Sequence, residues 1–65
     1  MKINNKTNLS YKALGEVIDE YINSGYDDTL YAGKTMVFDF FYRDKYYRCH
    51  VRYLKKYVEY TFVEA

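Results

Sequence analysis

Proline and tryptophan are absent from this chain of 65 residues, and cysteine occurs once, at Cys49. A single cysteine excludes an internal disulfide, the usual covalent support of a small secreted domain. No apolar run approaches the roughly 20 residues that a helix needs to cross a bilayer. Residues 1–8 are polar and lack the apolar segment of a signal peptide. We therefore expect a complete cytoplasmic protein, with residues 1–8 as a flexible lead-in.

An excess of charge of one sign is also missing, because 10 basic residues nearly cancel 9 acidic ones. The balance is uneven along the chain: residues 1–33 hold 3 basic and 5 acidic groups, whereas residues 34–65 hold 7 and 4. A chain of this length buries only about 60% of the surface that its unfolded form exposes. Multidomain enzymes and nucleotide-binding βαβ folds are therefore excluded, and we predict one domain spanning residues 1–65.

Aromatic residues are abundant instead, with 10 Tyr and 4 Phe. Aliphatic side chains are too few to fill a core alone, so tyrosines must contribute to it. The others offer rigid contact area at edges and turns. The tyrosines predicted in the core are Tyr21, Tyr47, Tyr53 and Tyr60; those predicted outside it are Tyr11, Tyr26, Tyr31, Tyr42, Tyr46 and Tyr57.

The spacing of apolar residues predicts one helix over residues 11–23, because Leu14, Val17 and Ile18 share one helical face. Ser10 fits the N-cap position, and Gly25 fits the residue that ends the helix. Gly15 is expected to mark a close approach to the sheet. Leu30 and Tyr31 are expected to close one end of the core.

From residue 35 the apolar period changes to two, which predicts three strands over residues 35–43, 45–53 and 57–63. The predicted fold class is α+β: a two-layer αβββ domain with one N-terminal helix on a three-stranded antiparallel meander sheet. A turn at Asp44 and Lys45 would place Asp39 opposite His50. A turn at Lys55 and Lys56 would place residue 52 opposite 59 and residue 49 opposite 62. Both registers put the same face inside.

The sheet face opposite the helix is the most informative surface, because one helix cannot cover both faces. Its arginines alternate with rings, as on single-stranded nucleic-acid platforms. The acids on the same face neutralise much of that charge, so we expect a protein partner, with nucleic acid as the alternative and a homodimer as a third possibility. The predicted partner-binding residues are Phe41, Arg43, Tyr46, Arg48, His50, Arg52 and Tyr57.

A second candidate surface is acidic and could dock on a basic partner, although a solvated helix face is the commoner fate of such residues. Its members are Glu16, Asp19, Glu20, Asp27 and Asp28.

Catalytic chemistry finds little support in the sequence. Asp39, His50 and Thr61 give the outline of a nucleophilic triad, but the outline lacks an oxyanion-hole loop and a cleft. Cys49 alternates to the buried face, where a thiol behaves as a small hydrophobe. One Cys and one His on opposite faces cannot share a metal ion. We predict no enzyme, no metal and no cofactor.

In its size, its compact αβββ plan and its Asn/Lys/Tyr-rich segments 2–6 and 45–47, the chain resembles the small accessory proteins of phages and mobile elements, including anti-CRISPR-like inhibitors. This resemblance implies a bacterial cytoplasm and a protein that binds and blocks a larger host protein. It rests on no motif, and it therefore assigns no functional residue.

Overall fold

A computed structural model describes residues 2–21 and 33–65, which form one helix and one mixed sheet of four strands. The predicted α+β class is confirmed. Strand β1 runs parallel to β4, and the other pairings are antiparallel. The elements are β1 (Lys2–Asn5), α1 (Tyr11–Tyr21), β2 (Thr35–Tyr42), β3 (Lys45–Tyr53) and β4 (Val58–Glu64), with the sheet order β1-β4-β3-β2. Among the described residues, no helix is long and apolar enough to span a bilayer.

The fourth strand corrects two predictions, the three-stranded sheet and the flexible lead-in over residues 1–8. Ile3 lies opposite Tyr60, and the amide of Lys6 extends the ladder by donating to the Phe62 carbonyl at 2.9 Å. Ile3 packs against the core while Lys2 and Asn4 point to the other face of the sheet. The edge of β4 therefore orders a segment whose polar composition gave no strand signal.

A short side-chain network connects β1 to the helix. Asn5 Oδ1 accepts from the Thr7 amide and hydroxyl at 2.9 and 2.6 Å, and Asn5 Nδ2 donates to the Leu9 carbonyl at 2.7 Å. Such local bonds hold polar residues in turns. The prediction of Ser10 as the N-cap is confirmed, because its Oγ accepts from the Ala13 amide at 3.2 Å.

The prediction for Gly15 is wrong. Gly15 lies inside α1, but a Cβ built at this position comes within 4 Å of no heavy atom of the described strands, so no close approach to the sheet requires glycine here.

The hairpin between β3 and β4 has the predicted register, with Arg52 opposite Glu59 and Cys49 opposite Phe62. The first hairpin does not. Its turn is formed by Arg43 and Asp44, both with positive φ (50° and 66°), as a two-residue hairpin loop requires. Pairing is therefore shifted by two residues, and Asp39 lies opposite Arg48 rather than His50. A shift of two preserves the buried face but changes every cross-strand partner.

The core lies between α1 and one face of the sheet, here called the inner face. Phe40 anchors it by stacking on Tyr47 and meeting Phe62 edge to face, with ring centroids 5.6 and 5.9 Å apart. Tyr47, Tyr53 and Tyr60 are buried as predicted. The buried core residues are Leu14, Val17, Ile18, Phe40, Tyr47, Cys49, Val51, Tyr53, Tyr60 and Phe62.

Several predictions fall outside the described residues. They concern the helix beyond residue 21, the side chain of Tyr21, Gly25, Tyr26, Asp27, Asp28, Leu30 and Tyr31.

Candidate functional site

The sheet face turned away from α1, here called the outer face, brings side chains of all four strands together. The residues form cross-strand rows because the register places them opposite one another. From one end of the face to the other, the rows are Thr35, Arg52, Glu59 and Lys2; Val37, His50, Thr61 and Asn4; Asp39, Arg48 and Val63; and Phe41 with Tyr46.

The most exposed apolar feature of the outer face is an aromatic pair beside the first turn. Phe41 and Tyr46 lie opposite each other, 54% and 61% exposed, with ring centroids 4.9 Å apart and planes tilted by 53°. Directly opposed rings on a sheet stabilise each other. The pair is thereby held in place while most of both rings stays available to another molecule.

Next to the rings, Arg48 holds Asp39 through two hydrogen bonds. Its Nε and Nη2 donate to the two carboxylate oxygens at 2.8 and 3.2 Å. The guanidinium lowers the pKa of Asp39 below its ordinary value of 3.8, and the carboxylate raises the pKa of Arg48. Bidentate geometry of this kind fixes both side chains as one planar unit.

At the far end of the face, one carboxylate serves two cations. Glu59 Oε1 accepts from Arg52 Nη1 at 3.4 Å, and Oε2 lies 3.8 Å from Lys2 Nζ. The Glu59 side chain is only 14% exposed, because its two partners lie on either side of it. Every charged side chain of the outer face is therefore in an ion pair, and the face carries three positive and two negative groups.

The side chains of Asp39, His50 and Thr61 do not form the triad that the sequence outlines. Asp39 is engaged by Arg48, and His50 lies between Val37 and Thr61 in the next row. The Thr61 hydroxyl accepts from Asn4 Nδ2 at 3.2 Å. Asp39 is therefore not placed to orient the imidazole by a hydrogen bond, as a triad requires.

The remaining predicted site residues separate into two groups. Phe41, Tyr46, Arg48, His50 and Arg52 lie on the outer face as expected, whereas Arg43 belongs to the first turn, with its guanidinium 5.3 Å from the centre of the Tyr42 ring. Tyr57 precedes β4 and is exposed. Lys2 and Asn4 also lie on the outer face, although the polar segment 1–8 gives no sign in the sequence of joining the sheet.

Cys49 is fully buried on the inner face, and burial raises the pKa of its thiol to about 12. A thiol with this pKa is almost entirely protonated at neutral pH, and only the thiolate is a strong nucleophile. Within the described residues, no group of three or more Cys, His, Asp or Glu side chains is arranged to hold a metal ion.

On the helix, Glu16, Asp19 and Glu20 are exposed on the side turned away from the sheet. They form the described part of the second candidate surface, whose other two acids lie outside the described residues.

Comparison with protein-family models, with curated proteins and with solved structures finds no match for this chain. Function must therefore be argued from the chemistry of the surfaces themselves.

Proposed function

We propose that this chain is a small non-enzymatic binding protein that docks its outer face on a larger protein and blocks it. The observation that carries the proposal is the exposed ring pair, Phe41 and Tyr46, which lies at one end of the outer face beside the Asp39–Arg48 ion pair. Exposed aromatic residues are enriched among the residues that contribute most to protein interfaces. A host protein of a bacterial cell is the proposed target, in keeping with the phage-type inhibitors that the chain resembles.

The ion pairs of Arg48 and Arg52 favour a protein as the partner over a nucleic acid. Nucleic-acid binding draws its affinity from cations that are free to neutralise phosphates. Arg48 already donates two hydrogen bonds to Asp39, and Arg52 and Lys2 are both ion-paired with Glu59. A phosphate would compete with these carboxylates for the positive charge, whereas a protein surface can accept the paired charges as they are.

Rigidity supports the same proposal. The outer face consists of strands whose opposite side is packed against a buried core, so its side chains are held by regular backbone. Binding a partner then costs little conformational entropy, because the side chains of this face are already ordered. A small contact surface can therefore give useful affinity.

The experiment captures partners of the tagged chain from bacterial lysate by cross-linking, then measures the affinity of each purified partner. A double variant, Phe41→Ala with Tyr46→Ala, is expected to weaken binding at least about tenfold, as loss of two anchoring aromatic side chains does. The matched control is Lys55→Ala with Lys56→Ala, which removes two exposed side chains from the second turn.

A third variant, Glu16→Lys, addresses the acidic helix. Loss of binding in Glu16→Lys but not in the ring variant would move the interface to the helix. Failure to recover any partner whose binding depends on Phe41 and Tyr46 would overturn the proposal. Binding of a labelled single-stranded oligonucleotide at low salt, lost in Arg48→Ala with Arg52→Ala, would replace it with the nucleic-acid alternative.

A further inference from the structure

Among the strands that the structure describes, the sheet has two edge strands, β1 and β2, which differ in length and polarity. Strand β1 is a short edge of four residues, mostly polar, whereas β2 has eight residues, of which only Thr35 and Asp39 are neither apolar nor aromatic. Exposed edges are usually protected by lysine, proline or a bulge within the strand, since they can pair with another chain. β2 contains no lysine or proline, and all eight of its residues pair regularly with β3.

The hydrogen-bonding pattern identifies which backbone groups of β2 point outward. The Tyr53 amide donates to the Lys34 carbonyl at 2.9 Å and the Tyr53 carbonyl accepts from the Gly33 amide at 2.7 Å, so the N–H and C=O of residue 53 point towards the β2 side of the ladder. Hydrogen-bonded pairs alternate along an antiparallel ladder, so residues 36, 38, 40 and 42 bond to β3. The residues whose N–H and C=O groups face away from β3 are Thr35, Val37, Asp39 and Phe41.

These outward groups fit a second copy of β2 in one register better than in any other. A twofold axis pairs identical strands antiparallel, and placing it at residue 38 sets residue 35 against 41 and residue 37 against 39. All four outward residues are then in hydrogen-bonded pairs. An axis at residue 39 pairs only three of them and sets Asp39 directly against its own copy, which like charges disfavour. An axis at residue 37 also pairs only three.

The side chains and the overall charge agree with this register. Val37 is 54% exposed and would lie beside Asp39 of the second copy, whose carboxylate is already bonded to its own Arg48. Two chains of net charge +1 repel each other little. The result would be one continuous eight-stranded sheet with an isologous interface, the commonest kind of symmetric dimer.

We infer that the β2 edge pairs with β2 of a second copy of this chain, in the register that places Val37 beside Asp39 of the other copy. This contact uses the backbone of one edge strand and is independent of the partner proposed for the ring pair.

Sedimentation over a concentration series tests the inference. The wild-type chain is expected to pass from the 7.9 kDa of one chain to twice that mass as concentration rises. Val37→Asp places an acid beside each Asp39 and is expected to raise the dimer dissociation constant at least about fivefold, whereas Val37→Lys, which creates an opposite-charge pair, is expected to lower it. Circular dichroism establishes that both variants are folded.

Two results would overturn the inference: a wild-type chain that stays monomeric at every concentration, or equal effects of Val37→Asp and Val37→Lys. The first would leave the edge to an extended strand of a different protein. Tyr46→Ala separates this inference from the proposed function, because Tyr46 lies on β3 and its loss is expected to leave the dimer mass unchanged.

Discussion

Adjacent residues of the same type show how strongly the two faces of this sheet differ. Phe40 is 2% exposed and Phe41 54%, while Tyr47 is 6% exposed and Tyr46 61%. The inner rings interlock with one another and with α1, whereas the outer rings contact each other and leave most of their surface to solvent. The same side chain therefore contributes to stability on one face and to a potential contact surface on the other, and only strand alternation decides which.

The largest expected difference between the faces comes from removing these phenylalanines one at a time. Phe40→Ala should lower the free energy of unfolding by about 3–5 kcal/mol, since it leaves a cavity in the core between α1 and the sheet. Phe41→Ala should lower it by about 0.5–1.5 kcal/mol, the value of one cross-strand ring pair. Urea unfolding of both variants measures the two losses. Equal losses would show that the faces do not differ as described.

A second pair of neighbours, Cys49 and His50, tests polarity rather than size. Cys49→Ser places a hydroxyl in an apolar site and should cost about 1–3 kcal/mol, whereas His50→Ser on the outer face should change stability by less than about 0.5 kcal/mol. Because burial raises the Cys49 pKa to about 12, above the ordinary 9.0, stability should fall as pH rises from about 9 towards 12. Rapid reaction of the native thiol with a thiol reagent at neutral pH would contradict this description.

One substitution in α1, the helix that covers the inner face, is expected to increase stability rather than reduce it. Gly15→Ala should raise the free energy of unfolding by about 0.5–1 kcal/mol, because alanine favours the helix and the added Cβ comes within 4 Å of no atom of the described strands. Thermal unfolding measures the gain. Gly33→Ala serves as the contrasting control, since a φ of 84° penalises any residue with a Cβ.

The smallest effect belongs to an ion pair of the outer face. Arg48 lowers the pKa of Asp39, so this pair stabilises the fold above about pH 4 and its contribution disappears as pH falls through the lowered pKa. The stability difference between wild type and Asp39→Asn should therefore shrink as pH is lowered from about 6 to 2. A difference that grows under acid would rule out this pairing. Salt should weaken the effect at every pH, because both groups are exposed.

Face alternation could be predicted from the sequence, because it depends only on a period of two and on which positions are apolar. Both hairpins therefore had the right residues inside. The register of the first hairpin could not be predicted from the sequence. Neither Arg43 nor Asp44 is the glycine or asparagine that usually occupies a turn position with positive φ. That error of two residues also assigned Asp39 to His50 and concealed the ion pair with Arg48.

The first strand could not be predicted for a different reason. Lys2–Asn5 has one apolar residue, and its strand conformation depends on an edge formed by residues 59–62. Such contacts are distant in sequence and leave almost no local signal. Two members of the outer face, Lys2 and Asn4, were missed together with that strand.

The parallel pairing of β1 with β4 also determines the order of events during synthesis. Strand β1 is made before residues 59–62 and cannot take its place in the sheet until they have been made, whereas the two hairpins need only local contacts. Nascent chains must therefore carry Ile3 and its neighbours unpaired until β4 has been made, and β1 joins the sheet in a non-local step that follows the hairpins.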